Sequence, residues 1–113
     1  MKANELRKNN LVEYSDGGGF VELSSLEIHR IDIGQVQVKP IPLTKEWLLR
    51  FGFRKYNDNW FSKGALWINI SDFAICVGLE FKQVNIRKQI NVVHKLQNLY
   101  FEIENEELTF NNG

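Results

Sequence analysis

The stretch KPIPLTKEWLLRFGF, residues 39–53, constrains the fold more than any other part of the chain. Pro40 and Pro42 fix φ and remove two backbone donors, so a strand must stop before them and an extended connection must follow. Thr44 is a good N-cap, Glu46 sits in the first turn where the helix dipole favours negative charge, and Leu43 with Leu48 matches the hydrophobic staple. Gly52 can take the left-handed conformation that ends a helix, with Phe53 packing back on Leu48. The spacing therefore predicts a short helix over about 44–52 that buries Trp47, Leu48 and Phe51. Its Pro-x-Pro is not the Pro-x-x-Pro of an SH3 ligand, so the stretch reads as a corner in the fold.

Before the corner, LVEYS and FVELS flank DGGG, a strand–turn–strand pattern whose glycines supply positive φ. No Gly-Lys-Ser/Thr follows, as a phosphate-binding loop would require. Gly34 and Gln35 fit a type II′ turn, which places Ile33 opposite Val36 and Ile31 opposite Val38 in a second hairpin. Upstream the alternation changes phase, from Leu26 and Ile28 to Ile31 and Ile33, which predicts a β-bulge near His29 and Arg30. The segment reads as an N-terminal β unit, with a small partial barrel as one form of it.

After the corner, FRKY, WF, ALWINIS and FAICV are separated by turn residues and read as a β-meander, with EFKQVNIR as a further, more exposed strand. Leu66, Ile68 and Ile70 share one face, Trp67 and Asn69 the other. INVVHKLQNLYFEIEN is the clearest helix, over about 91–103. Val92, Leu96, Leu99 and Ile103 cluster within about 60° on a helical wheel, beside Val93 and Tyr100. Phe101 projects about 180° from Val92, near His94 and Gln97, so this helix should be contacted on two sides. Asn105 suits a left-handed helix end, ENEE a solvated one, and EELTF has the length of a closing edge strand. The fold class is α+β, largely antiparallel, with two helices. A length of 113 residues suits a single domain, with subunits 1–39 and 40–113.

Fourteen basic and fourteen acidic side chains cancel, so no overall field draws the chain to nucleic acid or an anionic membrane. Locally the balance shifts: residues 50–95 carry eight basic and three acidic groups, net +5, and residues 96–113 carry four acidic groups and no basic one. MKANELRKNN lacks the apolar run of a signal peptide, and no stretch reaches the roughly 18 apolar residues needed to span a bilayer, so a soluble cytoplasmic protein is expected. The one cysteine, Cys76, lies in an apolar strand and reads as a buried thiol.

MKANELR, KPIPLTKEWLLRFGF and VHKLQNLYFEIENEEL together resemble a family of short, uncharacterised bacterial proteins associated with phages and mobile elements. Asn9 and Asn105 stand where such proteins commonly have glycine, and asparagine is the next best residue for positive φ. The resemblance implies a phage or mobile-element setting and carries over no mechanism or site residues.

No catalytic constellation is legible. His29 and His94 lie outside any His-x-x-x-His or His-Glu-x-x-His pattern, no serine sits in a Gly-x-Ser-x-Gly elbow, and no metal or cofactor is expected. The chain reads as a non-catalytic interaction module for a protein partner or a second copy, with His94, Gln97 and Phe101 as the contacting residues. The alternative is single-stranded nucleic-acid binding, with Arg54, Lys55 and Lys63 tracking phosphates and Trp60 and Trp67 stacking on bases.

Overall fold

The computed structural model describes residues 6–78, 84–86 and 90–109. Leu11–Tyr14 (β1) and Phe20–Glu22 (β2) form the expected antiparallel hairpin, with Val12 opposite Val21. Its turn places Gly17 and Gly19 at φ of 86° and 91°, which residues with a β-carbon rarely adopt.

The next segment corrects the sequence reading. Ser25–Asp32 is a helix (α1), not the first strand of a second hairpin. The Ser24 hydroxyl caps it, accepting from the Glu27 N–H at 3.3 Å, and Ser24 with Glu27 has the Ser-x-x-Glu spacing of a capping box. Ile28 and Ile31, three residues apart, pack with Val12, Leu23 and Val38. The phase change that suggested a bulge is the 3.6-residue period of this helix. Gly34 does take a positive φ, 80°, but just beyond a helix end, and His29 is exposed on the helix surface.

Val38–Lys39 (β3) then pairs with the other side of β1, giving an open sheet of order β2-β1-β3 that does not close into a barrel. The prolines follow at once. Thr44 caps Lys45–Arg50 (α2) through the Trp47 N–H at 3.4 Å. The helix ends with the Gly52 N–H on the Leu49 carbonyl and the Phe53 N–H on the Leu48 carbonyl, both at 3.0 Å, with Gly52 at φ 86°. This is the Schellman closure that the glycine implied. The Glu46 carboxyl is held below the usual carboxylate range, first by the residue's own backbone N–H and then by Thr44.

Arg54–Lys55 (β4), Trp60–Lys63 (β5), Leu66–Asn69 (β6), Ile75–Val77 (β7) and Val84–Ile86 (β8) form an antiparallel meander in chain order. Residues 80–83 and 87 of the strand expected over EFKQVNIR lie outside the described residues. Phe61, Ile68 and Ile75 stand opposite one another across three strands and bury into the main core with Leu48, Phe51 and Phe53. Val93–Glu104 (α3) adds Val93, Leu96, Leu99 and Tyr100 to that core. No side chain caps α3; its first N–H, that of Val93, donates to the Ile41 carbonyl at 2.9 Å, and the Leu43 N–H donates to the Asn91 carbonyl at the same distance. The proline corner thus also seats the start of the last helix. Asn105 ends it at φ 56°. Residues 106–109 form no strand, although Leu108 is buried, and Phe110 lies outside the described residues.

Candidate binding surfaces

The second side of α3 is covered by the chain itself. The Leu11 N–H donates to Gln97 Oε1 at 2.7 Å, and Gln97 Nε2 donates to the Asn9 carbonyl at 2.9 Å. Asn98 Oδ1 accepts from Arg7 Nε at 3.0 Å and from Asn10 Nδ2 at 2.8 Å. The Arg7 guanidinium lies 4.4 Å from the centre of the Phe101 ring and forms an ion pair with Glu107. Asn9 turns the segment at φ 74°, a left-handed conformation that asparagine takes more readily than most residues. His94 and Gln97 are 2% and 1% exposed and Phe101 is half-buried, so the helix is contacted on two sides, but the second contact is intramolecular. These three residues therefore offer a partner little surface in this fold.

The acidic end of α3 also differs from expectation. Glu104 is not simply solvated: its Oε1 accepts from the Ala65 N–H at 2.7 Å and so ties the helix to the β5–β6 turn. Arg7, Ser24, Asn98, Glu104 and Glu107 are structural residues that periodicity does not reveal, because polar side chains on a turn or helix surface carry no apolar signal.

The meander divides the basic and aromatic residues between two faces. Arg54, Ser62, Trp67 and Cys76 occupy one cross-strand row, and Trp60 with Asn69 the next, all on the side opposite Phe61 and Ile68. Tyr56, directly after β4, is 64% exposed and meets Trp67 edge-on, with ring centres 5.3 Å apart and planes at 77°. Trp60 and Trp67 are half-buried and Arg54 is exposed. Lys63 belongs to the inner side instead. Its Nζ donates to the Phe51 carbonyl at 2.8 Å, at the end of α2, and lies 5.9 Å from the Tyr100 ring. Lys55 stands opposite Phe61 at the sheet edge and pairs with Asp58 at 3.6 Å. The alternation Trp-Phe-Ser-Lys in β5 already contained this division, since Lys63 must share a face with Phe61.

Cys76 belongs to this outward row and is buried there, and burial first, then the charge of Asp72, pushes its thiol up. A raised thiol is a poor nucleophile at neutral pH. The sheet also separates Cys76 from α3 and its His94. Among the described residues no three His, Cys, Asp or Glu side chains gather as a cation site. An open depression of about 270 Å³ lies between Val38–Pro40 and the start of α3, with His94 in its wall. Leu26 on α1 and Ile33 at its C-terminal cap are 58% and 51% exposed, with His29 and Arg30 between them in the chain. Among the described residues no helix is long and apolar enough to cross a membrane. Comparison with known protein families, curated proteins and solved structures finds no match to this chain.

Proposed function

We propose that the protein is a non-catalytic interaction module whose working surface is the outward face of the five-stranded sheet. One observation carries this reading: Arg54, Tyr56, Trp60 and Trp67 converge on a face that no described helix covers, and the most exposed ring on it, Tyr56, rests on a neighbouring tryptophan. Large rings at the surface are a frequent signature of binding faces, because they give much contact area for little lost side-chain freedom. The α3 face around His94, Gln97 and Phe101 is set aside for this role, because residues 7–11 fill it at Gln97 and Phe101, and His94 is buried. The setting we propose is that of a cytoplasmic accessory protein of a phage or mobile element, supported by the three resembling segments.

The test is site-specific photo-crosslinking in cells that express the full chain. A photoreactive residue replacing Tyr56 should form adducts, whereas one replacing Leu26 on α1 should form few. Adducts from position 26 with none from position 56 would move the working surface off the sheet.

A further inference from the structure

Resting on that reading, we infer that the ligand of the outward sheet face is unpaired nucleic acid, held by base stacking at Tyr56 and Trp67 and by phosphate contact at Arg54. The face has the composition of a stacking platform more than that of a protein interface. A protein interface needs a dehydrated centre of aliphatic and aromatic groups. Here the outward positions of β4 to β6 are Arg54, Trp60, Ser62, Trp67 and Asn69, with Tyr56 just beyond: three rings, three polar groups and no aliphatic side chain.

The Tyr56–Trp67 contact orients the platform. At 77° between planes, the edge of one ring meets the face of the other, which restrains Tyr56 on one side while it keeps 64% of its surface open. A base that lies on a ring already restrained in this way meets a smaller cost of ordering it. Ser62, between the rings, presents a hydroxyl suited to base edges or sugar hydroxyls, and Asn69 beside them has its Nδ2 to offer, its Oδ1 already accepting from the Ser71 N–H and hydroxyl.

Charge favours a polyanion. Arg54 stands in the same row as Ser62 and Trp67, is exposed, and has no ion pair among the described residues. No carboxylate occupies an outward position of β4 to β6. Asp58 and Asp72 lie in the β4–β5 and β6–β7 turns, beyond the Trp60–Asn69 row as seen from Arg54, although the charge of Asp72 reaches Cys76. A strand of nucleic acid would therefore cross the sheet with its phosphates along the Arg54 side and its bases over the rings. Lys63, which serves α2 from the inner side, contributes nothing to this contact.

The test measures binding of the full chain to labelled oligodeoxythymidine, oligouridine and a mixed-sequence single strand of about 12 nucleotides, and to a duplex of the mixed sequence. We expect at least one single strand to bind more tightly than the duplex, with affinity falling steeply between roughly 50 and 200 mM salt. Tyr56→Ser should weaken binding at least about fivefold, as loss of one stacked base implies. Arg54→Glu should flatten the salt slope by about 0.7 for each phosphate that the arginine neutralises. Both residues are exposed, so both variants should keep the parent's unfolding midpoint, and Leu26→Ser should bind as the parent does.

Absence of binding to all three single strands at low salt would overturn the inference, as would equal binding of duplex and single strand. Undiminished binding by folded Tyr56→Ser and Arg54→Glu would overturn it too. The crosslinks separate this failure from that of the underlying reading. Nuclease-resistant protein adducts from position 56 would reject nucleic acid and keep the sheet face, whereas adducts from position 26 alone would reject both.

Discussion

Gln97 shows how one polar residue can fix the relation between two distant parts of a chain. It is 1% exposed, yet both ends of its amide are used, one by the Leu11 N–H and one by the Asn9 carbonyl. Gln97→Leu has nearly the same volume but leaves that donor and that acceptor without partners. A buried unsatisfied group costs about 1 to 3 kcal/mol, so the variant should lose roughly 2 to 4 kcal/mol in urea unfolding. Phe101→Ser should cost less, about 1 to 2 kcal/mol, since the ring is half-buried and gives up its stacking on Arg7. The variant and the parent should sediment alike. A Phe101→Ser variant that kept full stability and changed only its association state would show that this ring serves an interface between molecules. From the sequence, the helical wheel placed Phe101, His94 and Gln97 together correctly. It could not show what met them, because Gln97 is met by backbone groups of residues 9 and 11 that every sequence possesses, and Phe101 by the distant Arg7 side chain.

At the scale of elements, legibility followed how local the determining interactions are. The corner and α2 were readable almost position by position, since caps, staple and Schellman closure all act within about six residues. Thr44→Ala should cost about 0.5 to 2 kcal/mol through the lost cap. Gly52→Val should cost more than Thr44→Ala in the same unfolding experiment, because it meets strain at φ 86° and a β-carbon there would sit 2.9 Å from Lys63 Nζ. The meander was equally legible, its turns marked by Asn57, Asp58, Gly64 and Asp72. The helix α1 was missed because eight residues are two turns, too few for its period to stand out from an alternation with one slip. The Ser24–Glu27 spacing was the available signal. The two faces of the sheet were legible in the alternation of β5 and β6, yet grouping Lys63 with Arg54 and Trp60 by charge and proximity in sequence overrode it.

For the whole molecule, the shared wall is β1. Leu11 buries into the large core with α3 and the meander, while its neighbour Val12 buries into the small cluster of Leu23, Ile31 and Val38. Phe20 on β2 also meets Trp47 on α2, ring centres 5.4 Å apart. One strand that serves two clusters couples their stabilities, so unfolding should be a single transition. Tryptophan fluorescence, which reports residues 47, 60 and 67, should coincide with far-ultraviolet circular dichroism, which reports both sheets. Alkali should act on both faces of the five-stranded sheet, through Tyr100 in the large core and Cys76 on the outward side. Burial pushes up both the Cys76 thiol and the Tyr100 phenol, so in the folded state each holds its proton more tightly than in the unfolded chain. Their contribution is complete below the ordinary thiol and phenol values and is lost as pH rises through the raised ones. Urea midpoints should accordingly fall above roughly pH 9, and Cys76→Ala should remove the thiol's share of that fall.

The clasp between residues 7–11 and α3 sets a timetable for synthesis. Leu11 and Gln97 are 86 positions apart, so at about 5 to 20 residues per second the ribosome releases the first strand roughly 4 to 17 s before the amide that completes it exists. During that interval β1 can pair with β2 and β3, since all three are made early, but its outward Leu11 N–H and the bend at Asn9 wait in water. The order of synthesis therefore lets a three-stranded precursor with one side open form first. Gln97, once α3 has docked, is the residue that shuts it.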